Sequence, residues 1–209
     1  MSGTLQKVTG FVTRVRPDGA RDLLVMQHPT AGIQLPAGTV EEGEPLVDAA
    51  FREVAEETGL TELRLLRRLG GESFVCGDRG YAMLRATPLR KGPSASAPIL
   101  EASFPRGYWC RLVERVGEFS EVVYEELDLN TQPERLIVRY SGWVESDALA
   151  AVIERHFFHF EALRPTPERW VQEAEQRFER YWTPLQPRPA LVRSQQAWLD
   201  ALHSELLRS

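Results

Sequence analysis

The sequence predicts an α+β protein, in which a mixed β-sheet sandwiched by helices carries a small inserted all-β barrel. Three observations lead there. Two alternating β-branched and aliphatic runs open the chain, "KVTGFVTRV" and "DLLVMQH", joined by the turn-forming "RPDGAR". A helix-favouring stretch follows them, and the strands needed to complete the sheet, "ERHFFHFEA" and "FERYWTPL", appear only after residue 150. About seventy residues between the halves are too many for an ordinary loop, and they contain short β-rich runs broken by Gly and Pro.

Taken in order, the first two strands lead through "IQLPAG" into the helix, and "LRLLRRLGGESFV" returns as a strand or strand pair. In the intervening segment Phe104, Trp109, Phe119, Val122, Tyr124, Val138, Trp143 and Val144 are the candidates for interior or face positions, with core packing expected of Trp109 and Trp143 and exposure of Tyr108 and Tyr140. A last helix begins near Ala190, after the "QPRP" break, with Leu191, Gln195, Trp198, Leu199, Leu202 and Leu206 at helical intervals. The expected division is 1–85, 86–149 and 150–209.

The first helix raises the functional question. At 100° per residue, Glu53, Glu56 and Glu57 fall within an arc of about 100°, and Ala50, Val54, Val47, Thr58 and Phe51 fill the neighbouring arc. Glu53 and Glu57 form a like-charged i,i+4 pair that costs a few tenths of a kcal/mol. A cation between the carboxylates removes that cost, and clustered hard oxygens are what Mg²⁺ or Mn²⁺ bind. A solvated Glu-rich face is the competing reading of the same composition.

Spacing favours the first. From Gly38 there are five residues to Glu44, seven more to Arg52, and then Glu53, Val54, Glu56, Glu57, Gly59 and Leu60 in fixed register. This stretch resembles the signature of the Nudix hydrolases at all nine defined positions, and "QLPAG" resembles the family's lead-in. The resemblance implies a Nudix-type fold, with Arg52, Glu53, Glu56 and Glu57 as catalytic residues and Glu53, Glu56 and Glu57 as ligands of Mg²⁺ or Mn²⁺. Arg52 is expected to orient Glu56 or Glu44, while Gly38 and Gly59 supply tight turns. The implied activity is hydrolysis of a diphosphate bond in a nucleoside diphosphate linked to another moiety. Glu57 is the first choice of base, with Glu173 and Glu175 as loop alternatives.

The inserted segment, from "PLRKGPSASAPILEASFPRGYWCRLVERVGEFSEVVYEE" to "SGWVESDAL", resembles a bacterial Src-homology-3-like domain, departing from it at the longer, charged "EELDLNTQPERLIVRY". A non-catalytic nucleotide sensor or scaffold signalling through this barrel is the alternative function.

Composition narrows the partners. With 25 basic and 30 acidic residues the net charge is -5, which disfavours a nucleic acid polymer and leaves a nucleotide-type small molecule. Only Cys76 and Cys110 are present, outside any CxxC arrangement, and no apolar run has membrane-spanning length, so a cytoplasmic protein without membrane contact is expected. A monomer and a homodimer both remain open. His156 and His159 sit at odd spacing on one strand and face opposite ways. Further candidates for substrate contact are His159, Glu161, Glu175 and Trp182, and Tyr81, Phe158 and Trp170 are further aromatics able to stack a base.

Overall fold

Alternation along the first strand sends Val8 and Val12 to one side and Phe11 to the other, and the same alternation repeats along the sheet until both faces are apolar. The computed structural model describes residues 3–77, 80–172 and 178–208. In chain order its elements are β1 (Gly3–Val15), β2 (Arg21–His28), β3 (Gly32–Gln34), β4 (Ala37–Thr39), α1 (Leu46–Thr58), β5 (Leu63–Val75), β6 (Tyr81–Ala82), β7 (Thr87–Arg90), β8 (Ile99–Phe104), β9 (Trp109–Val116), β10 (Phe119–Asp128), β11 (Arg135–Glu145), β12 (Ala150–Ala162), β13 (Arg169–Gln172), β14 (Phe178–Pro184) and α2 (Arg193–Leu207). The main sheet has the order β13–β14–β2–β1–β12–β5, with β3 added to β2 and β4 to β1.

The chain divides into two compact units, Lys7–Gly71 with Arg155–Ser209, and Met1–Gln6 with Glu72–Glu154. The division falls within β1, β5 and β12. The sequence places the second unit's bounds at 86 and 149, because its linker-like composition starts there; the strand ends on either side continue the same packing.

In the first of these units the two helices cover opposite faces of the sheet. Helix α1 packs Ala49, Ala50 and Val54 on Val8, Val12, Leu24, Phe158, Phe160 and Trp182. Helix α2 packs Leu199 and Leu206 on Phe11, Leu23, Val25, Phe157 and Leu185. The residues facing each helix alternate along β1, β2 and β12, as a period of two requires. Val47, expected on the apolar stripe, is 36% exposed, while its neighbour Leu46 packs against the core under α1. Strand β13, which pairs antiparallel with β14, was not anticipated from "RWVQ", a run too short and mixed to show a period.

In the second unit the strand order is β6–β9–β10–β11–β7–β8. Its interior collects Met83, Leu89, Phe104, Cys110, Val122, Val144, Ala148 and Leu149. Phe104, Val122 and Val144 are therefore core as expected. Trp109 is not: it is 40% exposed, because Cys110 takes the inward position next to it on β9. Tyr108 and Tyr140 are exposed, and with Tyr124 between them the three rings stack at centroid distances of 5.2 and 6.4 Å. Among the described residues no helix is long and apolar enough to cross a membrane.

His159 is fully buried on the α2 face of β12, its Nε2 2.8 Å from Thr13 Oγ1 and its Nδ1 without a partner among the described residues. Burial, helped by the charges of Arg21 and Arg67, pushes its pKa down to about 4, so the folded ring is neutral. An unfolded histidine protonates near 6.5. Between these values the unfolded chain binds a proton that the folded one refuses, so stability falls as pH drops, by up to about 1.4 kcal/mol per pH unit from this residue. Urea unfolding at pH 7, 6 and 5 is expected to show a shallower acid loss in His159→Gln than in wild type; equal slopes would remove the buried neutral ring from the account.

Candidate active site

Helix α1 ends where Gly59 takes the left-handed conformation, φ 78°, and its N–H reaches the Ala55 carbonyl at 2.8 Å. A Cβ is disfavoured in that conformation, and so the glycine of the signature is a helix stop. Gly38 has a different task. A Cβ built on it would fall 2.0 Å from the Glu53 carboxylate carbon, which means that the β4 backbone is pressed against that side chain.

Arg52 is the centre of the acidic strip. Its Nε and Nη2 donate to the two oxygens of Glu44 at 2.8 and 2.9 Å, a bidentate pair, and Nη2 also donates to the Thr39 carbonyl at 3.1 Å. Its Nη1 donates to Glu53 at 3.0 Å and to Glu56 at 3.1 Å. Glu44 is in turn fixed by the Glu41 N–H at 2.9 Å. The two expected partners of Arg52, Glu44 and Glu56, are thus both engaged, together with Glu53.

Each carboxylate feels this arrangement differently. Hydrogen bonds donated by Arg52 hold Glu44 below the usual carboxylate range, and the same bonds raise the already high pKa of Arg52. Burial raises Glu53 against the opposing pull of Arg52 and the Thr39 N–H. Glu57 accepts the Ala37 N–H at 2.8 Å, yet burial, with the charges of Glu53 and Glu56, pushes it up to about 8. Arg180 opposes that rise.

Arg180 escaped the sequence reading. It is fully buried on β14, and its Nε donates to the backbone carbonyl of Glu57 at 2.6 Å. The signal was present: Phe178, Arg180 and Trp182 share one face of a strand, and a charge in an apolar phase implies a buried acceptor.

The other sequence candidates lie elsewhere. His159 and Glu161 are on the face of β12 opposite α1, where Glu161 pairs with Arg64. Trp182 is buried under α1, its Nε1 2.7 Å from Thr166 Oγ1 and its ring covered by the Arg14 guanidinium at 4.7 Å. His156 is 2.8 Å from Arg68. Glu173 and Glu175 lie outside the described residues. Among the described residues, no three His, Cys, Asp or Glu side chains converge as a ready-made cation cage; Arg52 stands among the carboxylates instead.

Residues 5–87 match the family model described as NUDIX domain. Over those residues the chain is similar to a Nudix domain. An RNA pyrophosphohydrolase of Caulobacter vibrioides is 48% identical over 63 residues, 29% of this chain and 36% of that protein, so the chain matches little more than a third of its relative's length. Among solved structures, an Ap4A hydrolase from C. elegans in a binary complex has a TM-score of 0.49 at 14% identity, covering 97% of both chains. A Nudix hydrolase from M. smegmatis has a TM-score of 0.43 at 12% identity, covering 98% of this chain and 90% of its own.

The Arg52–Glu44 pair is largely shielded from water, with side-chain exposures of 24% and 15%. A double-mutant cycle of Arg52→Gln and Glu44→Gln is expected to give a coupling of about 1–2 kcal/mol by urea unfolding, above the few tenths usual for an exposed pair. Additivity of the two substitutions would show that the hub does not hold the strip.

Proposed function

We propose that the protein is a divalent-metal-dependent pyrophosphohydrolase that cleaves a diphosphate bond in a nucleoside diphosphate linked to another moiety. The observation that carries this reading is the strip of Glu53, Glu56 and Glu57, held by Arg52 and by the N–H groups of Ala37 and Thr39. The residues fit a hard cation. They offer carboxylate oxygens alone, and Glu57 is a carboxylate whose charge is opposed by burial and by two like neighbours, a state that a nearby positive charge relieves.

Glu53, Glu56 and Glu57 would hold Mg²⁺ or Mn²⁺, which when bound neutralises diphosphate oxygens and lowers the pKa of an attacking water. The protein's own part is positional and protolytic. Glu44 fixes Arg52, and Arg52 fixes Glu53 and Glu56. Glu57 takes the proton of the attacking water on a carboxylate oxygen, and Arg180 holds the backbone at Glu57. The bond broken is between a bridging oxygen and phosphorus; water supplies the new oxygen, and two phosphate products leave.

The acidic balance of the chain, -5, favours a small nucleotide over a polymer. RNA is the second reading, favoured by the 48% identity with the RNA pyrophosphohydrolase. Residues 86–149 fit a bacterial Src-homology-3-like barrel inserted in the Nudix domain, supported by their own apolar interior and by a family match that stops at residue 87. Such a barrel in a chain with two unpaired cysteines suits a cytoplasmic structural, dimerising or substrate-gating role. A sensor or scaffold that binds nucleotide without turnover is separated from the enzyme by one screen, with Mg²⁺ and Mn²⁺, over nucleoside triphosphates, nucleotide sugars, dinucleoside polyphosphates, ADP-ribose, NADH, coenzyme A and RNA bearing a 5′ triphosphate.

On the best substrate of that screen, Glu53→Gln and Glu57→Gln are each expected to lower turnover at least about a hundredfold, because a metal-held charge or a base supplies several kcal/mol of barrier reduction. The unfolding midpoint is expected to hold, as glutamine keeps the volume. Wild-type turnover in both variants would make the strip a solvated face.

A further inference from the structure

A slot of about 290 Å³ opens between the Thr58–Leu60 turn and the segment Thr166, Pro167, Trp170 and Val171. We infer that this slot receives the planar base of the substrate, stacked on Trp170. The inference rests on the reading of the carboxylate strip as the diphosphate-cleaving site, and it adds the residue that selects for a nucleoside.

Position is the first argument. Thr58 follows Glu57 directly, and Trp170 Nε1 donates to the Thr58 carbonyl at 2.8 Å. Across the strand pair Trp170 is in register with Arg180, the residue that donates to the Glu57 carbonyl. The slot therefore begins one residue beyond the acidic strip, at the end of the same helix.

Chemistry is the second. Among the described residues that line it none carries a formal charge, so phosphate groups gain nothing from them, whereas a neutral ring does. At about 290 Å³ the slot lies at the lower limit of small-molecule pockets and suits one ring system rather than a dinucleotide. The Trp170 indole is fixed on one edge by its bond to Thr58 and packs beside Trp182 at 6.4 Å, so a base meets a plate that is already set in place. Leu60 and Pro167 offer aliphatic surface on the remaining sides. The aromatic plane makes Trp170 a specificity residue for any base, since every base has a π face.

Stacking of this kind strengthens binding roughly five- to 150-fold. The test is calorimetric titration of the full chain, in Mg²⁺, with AMP, GMP, UMP and ribose 5-phosphate. At least one nucleoside monophosphate is expected to bind fivefold or more tighter than ribose 5-phosphate, with the preference kept in Trp170→Phe and abolished in Trp170→Leu while ribose 5-phosphate binding stays. Equal binding of all four ligands by wild type, or an undiminished preference in Trp170→Leu, overturns the inference. Should Trp170→Leu fail to fold, the indole N–H resonance of Trp170 in wild type, assigned through Trp170→Phe, decides: a shift with the nucleotides and none with ribose 5-phosphate supports the slot, and no shift refutes it. Loss of the hydrolytic reading shows separately, as an empty hydrolysis screen beside an intact binding preference.

Discussion

One guanidinium holds the acidic strip together. Arg52 gives two hydrogen bonds to Glu44, one each to Glu53 and Glu56, and one to the Thr39 carbonyl, so a single side chain joins the loop before α1, strand β4 and the acidic face of the helix. Three carboxylates on one helical arc repel, and like charges at i,i+4 cost a few tenths of a kcal/mol each. The arginine turns that repulsion into a network in which every member but Glu57 is directly bonded to it. Glu57 is left to a backbone N–H and to the opposing charge of Arg180, and it is the carboxylate whose pKa rises furthest.

That arrangement depends on the sheet below. The strip can stand clear of the apolar core only because Ala49, Ala50 and Val54 seat the other side of α1 on Val8, Val12 and Phe160. The second helix covers the opposite face, so β1, β2 and β12 present apolar residues to both helices. Arg180 is a fully buried cation on β14, its Nε committed to the end of α1. Its burial lowers its pKa, and Glu57 opposes the fall, so the two groups stabilise each other's charged forms across the sheet–helix layer.

Much of this was legible in the residues, and for stated reasons. Period-two alternation located β1, β2 and β12, and "LRLLRRLGGESFV" coincides with β5. Spacing located the Arg52 network because a signature records which side chains must meet around one helix end. Legibility failed where a position's meaning is tertiary. Trp109 reads as core by size, but Cys110 holds the inward place; His159 reads as a candidate for substrate contact, but its strand turns it toward α2. Arg180 needed the opposite inference, from a charge sitting in an apolar phase. The slot at Trp170 could be named only as an aromatic, since its other wall comes from residues more than a hundred positions earlier.

A divalent cation held by the carboxylates gathered around Arg52 is what the proposed activity requires. Electron paramagnetic resonance of Mn²⁺ titrated into the metal-free protein tests it without reference to any substrate. The free-ion signal is expected to be suppressed by wild type, restored by Glu57→Gln and by Glu53→Gln, and restored by excess Mg²⁺ competing for the same oxygens. Suppression of equal strength in wild type and both variants would place the cation elsewhere and contradict the claim.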